Sequence, residues 1–114
     1  MVVVKLKDKK LRGKEMHSMK NFFKELFDYS HHCNQKLGDV FTEHSDRTSE
    51  KAIKLYSHTL NAHQIWNNRI EPKQQPFGVW EIHSIQNYKS IDKMNYEHSL
   101  IILDKFDLDR KSVV

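Results

Sequence analysis

Between Met19 and Leu37 the apolar residues Met19, Phe22, Phe23, Leu26, Phe27, Cys33 and Leu37 recur at spacings of three, four and seven. That period matches one face of an α-helix and cannot alternate as a strand must, so it commits the start of the chain to an amphipathic helix. Ser18 can cap the helix, and Gly38 stands where a left-handed residue commonly ends one. A polar stretch from Glu43 to Ser49 leads into a second helix. Asp46 or Thr48 is its candidate cap, Glu50 suits the positive end of its dipole, and it should run to about Ile70.

Pro72 and Pro76, with Gly78 close behind, break the periodicity and predict a connection of ten residues or more, anchored by Phe77, Val79 and Trp80. From about Ser84 the pattern resumes through Ile85, Tyr88, Ile91, Met94, Ile101, Ile102 and Phe106, predicting a third helix ending near Asp107. No strand-like alternation or hairpin signal competes with it, and there is no internal repeat. The expectation is one all-α domain, an incomplete four-helix bundle with three of four helices present.

The net charge of +4 lies wholly in residues 1–15, where six basic side chains face two acidic ones; the remainder holds thirteen of each sign. A neutral body has no electrostatic footprint for a phosphate backbone, so nucleic acid is not an expected partner. Residues 1–15 read as a basic leader, disordered or not native, with Met16 and Met19 as alternative starts. There is no run of eighteen apolar residues and no secretory signal, so no membrane partner is expected. Cys33 is the only cysteine, which rules out an internal disulfide and suits a reducing, cytoplasmic setting. At the other end, Asp109-Arg110-Lys111-Ser112-Val113-Val114 is what a common sequencing adapter encodes in one frame. The natural chain is therefore expected to end in this record at Leu108, leaving 16–108 as the bundle portion.

On the second helix, steps of about 100° per residue place Ile65, Ala62, Leu55 and Trp66 within about 80° of His58, so His58 is expected inside the apolar stripe. A buried imidazole needs a hydrogen-bond partner or a metal. His63 lies about 140° from His58 and is expected at the helix boundary, not on the same ion. His31 and His32 diverge by about 100° and read as surface or boundary residues. Cys33 reads as an inert buried thiol, Trp66 and Trp80 as core and loop anchors, and His83 as a capping or surface residue.

The segment from Leu55 to Ile70, with His58 and Trp66, resembles the second helix of the DinB superfamily, where a histidine supplies the first metal ligand. Tyr29 to Leu37 is similar to a tyrosine-x-x-tryptophan-alanine-asparagine segment of its first helix, with His32 and Cys33 in place of the tryptophan and alanine. Phe77-Gly78-Val79-Trp80-Glu81 resembles the loop that follows the second helix in one branch. The resemblance covers residues 19–107 and implies a bundle that binds a divalent metal, Zn or Ni, with His58 as a ligand.

It further implies a metal-dependent hydrolase or a thiol-dependent transferase, with a low-molecular-weight thiol or another small molecule as substrate. The family completes its site with a histidine-x-x-x-histidine pair on a fourth helix. The histidines here stand at 17, 31, 32, 44, 58, 63, 83 and 98, and no two are four apart. The chain as given is thus expected to be an inactive fragment that binds no metal tightly. The alternative is a non-catalytic helical bundle or dimerisation module, a homodimer whose His58 is a core residue.

Overall fold

The computed structural model describes residues 13–105, with side chains from residue 18 onward. The leader's first twelve residues, Phe106 and the 109–114 tail lie outside the described residues. Three helices form: α1 (Gly13–Glu43), α2 (Glu50–Ile70) and α3 (Tyr88–Lys105). Short 3-10 turns at Ser45–Arg47 and Ile85–Asn87 precede α2 and α3. Among the described residues no strand occurs and no helix is long and apolar enough to cross a membrane. The all-α expectation holds, with three helices described.

The boundaries of α1 differ from the sequence reading at both ends. It begins at Gly13, inside the stretch assigned to the leader, so Ser18 lies within the helix instead of capping it. It also continues through Gly38 to Glu43. Gly38 serves the crossing of α1 and α3, because a Cβ built there would stand 2.5 Å from Lys89 Cγ. The cap of α2 is Ser49, whose hydroxyl accepts from Ala52 N at 3.1 Å; Asp46 instead sits in the preceding 3-10 turn.

Side-chain pairings give the topology. Lys89 meets Asp39, Asp92 meets His31, Tyr96 meets Asp28 and Asp104 meets Lys20, so α3 runs antiparallel to α1. Tyr88 meets Ile53, Asn95 meets Leu60 and Ser99 meets His63, so α3 runs parallel to α2. Two parallel helices need a connection that returns along their length, and residues 71–84 supply it by running back beside α2. Most packing is between α3 and its two neighbours; α1 reaches α2 through Phe41 against Tyr56, rings 5.2 Å apart.

The apolar core is small: Tyr56, Leu60, Tyr88 and Ile91, with Phe41, Phe77 and Ile85 packed on it. Leu60 is 1 % exposed, which contributes roughly 2 kcal/mol from burial of its side chain. More of the interior is polar, including Ser57, Asn61, Gln64, Asn67, Asn68, Asn95 and Ser99. The inward face of α2 is thus the one with the amides, and the stripe of Leu55, Ala62, Ile65 and Trp66 points the other way. Trp66, expected in the core, is 59 % exposed beneath the Arg69 guanidinium.

The returning segment explains the reversal. Its backbone groups lie against a helix and so need side-chain partners. Asn68 Oδ1 accepts from the amides of Lys73 and Gln74 at 3.0 and 3.3 Å, and Gln64 Oε1 accepts from Phe77 N at 2.7 Å. Asn61 Nδ2 donates to the carbonyls of Val79 and Glu81 at 3.2 and 2.8 Å, and Ser57 Oγ accepts from His83 N at 3.0 Å. Leucine at any of these positions would strand buried amides or carbonyls.

Gly38→Ala gains about 1 kcal/mol of helix propensity but forces a Cβ into Lys89, an overpacking cost of about 1–3 kcal/mol. The expected outcome is a net loss of about 1 kcal/mol in a urea melt, recovered when Lys89→Ala is added to the same background.

Candidate functional site

A cavity of about 220 Å³ opens between the three helices. Phe27, Ser30, His31 and Asn34 of α1 line it with His63 of α2 and Asp92, Tyr96 and Ser99 of α3. The two helices contribute at three- and four-residue spacings, which bring side chains onto one face.

Asp92 is the deepest charged group, its side chain 2 % exposed. Three α1 side chains converge on it. His31 Nδ1 donates to Oδ2 at 2.6 Å, Gln35 Nε2 donates to the same oxygen at 3.0 Å, and Asn34 Nδ2 donates to Oδ1 at 2.9 Å. Both carboxylate oxygens are therefore occupied. Among the described residues no lysine or arginine pairs with Asp92, and its carboxylate is held by the hydrogen bonds of the histidine and two amides.

With Nδ1 donating to a carboxylate, the neutral form of the His31 ring carries its lone pair on Nε2. The ring is 26 % exposed and lies stacked on Tyr96, centroids 4.2 Å apart and planes 8° from parallel. Tyr96 in turn donates its hydroxyl to Asp28 at 2.5 Å. That bond and Lys24 hold the Asp28 carboxyl below its ordinary range, while Asp28 pushes the Tyr96 phenol up.

His63 reaches the same cavity from the other side. Its Nε2 lies 2.9 Å from Ser99 Oγ, which also accepts from Asn67 Nδ2 at 3.2 Å. Burial lowers the His63 pKa; Asp92 opposes the shift and His98 reinforces it. A neutral His63 is the form the fold favours.

His58 lies elsewhere. It is half-buried, not inside the core, because the stripe that carries it faces away from α3. Its Nδ1 donates to Val79 O at 2.9 Å and its ring stacks on Trp80 at 4.1 Å. Trp80 thus anchors the returning segment, although it is 53 % exposed. His83, expected at a cap or on the surface, is buried, its Nε2 2.6 Å from Asn61 Oδ1. His32 is exposed and Cys33 half-buried on α1.

The boundary reading of His31 holds, since it is half-buried, but the sequence reading did not foresee its partner Asp92, which it did not consider. Asp92 sits one residue after Ile91 in the inward stripe of α3, and a carboxylate inside an apolar period was the available signal. The boundary placement of His63 holds, but the boundary it occupies is the rim of this cavity. Among the described residues no group of three histidine, cysteine, aspartate or glutamate side chains is arranged to hold an ion. The chain matches no protein-family model, no curated protein and no solved structure.

A histidine whose folded-state pKa is depressed stabilises the fold above its unfolded value and loses that contribution as pH falls through it. Stability should therefore decline on acidification from about pH 7 to pH 5, spanning the ordinary histidine range near 6.5. His63→Gln should flatten that decline when urea midpoints are compared at the two pH values.

Proposed function

We propose that the chain is a DinB-like helical metal-binding protein whose ion site is the cavity between α1, α2 and α3, with His31 and His63 as its imidazole ligands. The observation that carries this reading is the His31–Asp92 pair. A carboxylate on Nδ1 fixes the tautomer of an imidazole and raises the basicity of Nε2, the arrangement that accompanies ligating histidines. His63 lines the same cavity, and in the tautomer that donates Nε2–H to Ser99 its Nδ1 carries the lone pair an ion would take.

The donor set fits a partial site. Two imidazoles suit Zn²⁺ or Ni²⁺, and Asp92 is committed to its three donors, so the described residues fall short of the three protein ligands of a typical catalytic zinc. An ion held there would supply Lewis acidity that activates a bound water or lowers the pKa of a bound small thiol, the chemistry of a hydrolase or a thiol-dependent transferase. Compared with the cavity, His58 offers an Nε2 with only Val79 and Trp80 as described contacts of its ring.

Zn²⁺ or Ni²⁺ at about 100 times its dissociation constant should stabilise the protein by about 2.7 kcal/mol. That is a rise of about 10 °C or more in melting temperature for a domain of this size. His31→Ala and His63→Ala should each remove the rise, and His58→Ala should keep it. Loss in His58→Ala alone would return the site to His58, and no rise in the unmutated chain would remove the reading of this cavity as an ion site.

A second reading, a non-catalytic helical module pairing with a second copy, draws on the exposed side of α1. Met19, Phe22, Phe23, Leu26, Tyr29, Leu37 and Val40 are all exposed there. A monomer by light scattering at concentrations of about 100 μM, well above the micromolar range of a modest complex, would end that reading.

A further inference from the structure

Among the described residues the His31 ring makes one hydrogen bond, and one bond fixes a pivot without fixing a plane. Coupled rotation about its Cα–Cβ and Cβ–Cγ bonds would tilt the ring and redirect Nε2 while keeping Nδ1 near Asp92. The plane is set from the side by Tyr96, whose ring lies parallel to the imidazole at 4.2 Å. Asp92 and Tyr96 are four residues apart on α3, so one helix face supplies both the edge partner and the face partner of the same ring.

Tyr96 is held as firmly as it holds. Its hydroxyl is given to Asp28, three residues before His31 on α1, at 2.5 Å. The four residues close a loop across two helices: α1 offers His31 to Asp92, and α3 offers Tyr96 to Asp28. Lys24 Nζ, 3.1 Å from Asp28 Oδ2, steadies the outer corner. Because the phenol proton is committed to Asp28, Tyr96 has none to give to a molecule in the cavity that its ring lines.

We infer that Tyr96, clamped by Asp28, is a positioning residue that sets the plane of the His31 imidazole and so the direction of its free Nε2. Its contribution toward an ion depends on the reading of the cavity as a metal site; its effect on His31 does not.

The test is nitrogen-detected NMR of the His31 ring in the metal-free chain, followed by Zn²⁺ titration of the same samples. The unmutated protein should show one tautomer, protonated at Nδ1. Tyr96→Leu should broaden or mix the His31 ring signals and weaken Zn²⁺ binding roughly tenfold, the lower end of what removing a supporting partner costs a metal site. Tyr96→Phe keeps the stack without the clamp and should fall between, and Asp28→Asn keeps an acceptor for the hydroxyl and should resemble the unmutated protein.

His31 signals unchanged in Tyr96→Leu would overturn the inference. Were that variant not to fold, unchanged ring signals in both Tyr96→Phe and Asp28→Ala would overturn it equally. Altered signals in a protein that binds no Zn²⁺ would support the positioning role and remove the metal reading alone.

Discussion

The structure depends on the satisfaction of buried polar groups. Few apolar side chains are buried, and around them lie serines, asparagines, a glutamine, two histidines and an aspartate. A buried amide or carboxylate without a partner costs more than the bond it forms would return, so such an interior is held together where donors and acceptors meet in register, although the Tyr56 hydroxyl, Asn68 Nδ2 and His98 Nδ1 find no partner among the described residues. The register is visible on α2: Asn68, Gln64, Asn61 and Ser57 take successive backbone groups of the segment from Lys73 to His83. That ladder turns a proline-interrupted connection into a strap along the helix. With the strap in place α3 starts at the same end as α2, and the parallel α2–α3 pairing follows.

The same rule shapes the cavity. Asp92 is the one buried carboxylate among the described residues, and its three α1 partners tie α1 to α3. Replacing one partner would leave the others facing a charge with fewer donors, the circumstance in which buried ionic groups become strongly destabilising. Structure and chemistry thus share an origin. The bonds that hold the helices together also orient an imidazole toward the space between them, and His63 arrives there because Asn67 and Ser99 lock α2 against α3.

The outward faces follow a different rule. Leu55, Trp66 and Ile70 on α2 are exposed, as is the long apolar side of α1. Isolated exposed leucines are ordinary, but residues recurring along one helix side are the pattern from which association surfaces are made. Trp80 and Trp66 are partly shielded by cations, with Lys54 Nζ 5.5 Å and the Arg69 guanidinium 4.6 Å from their respective ring centres.

Periodicity alone determined that the described residues are helical, that they hold three helical segments, and that Pro72 and Pro76 separate the second from the third. Those properties are local, since backbone sterics and apolar spacing act within a few turns. Periodicity could not determine which stripe of α2 turns inward. The polar stripe at Ser57, Asn61, Gln64 and Asn68 repeats as regularly as the apolar one, and the choice between them depends on the backbone of a segment up to 26 residues away. The same holds for Gly38, which looks like a helix end until Lys89 crosses it, and for His31, which looks like a surface residue until Asp92 arrives from 61 positions along the chain. Hydrogen bonds across such separations exist only once the helices have docked, so the candidate site was decided by tertiary structure.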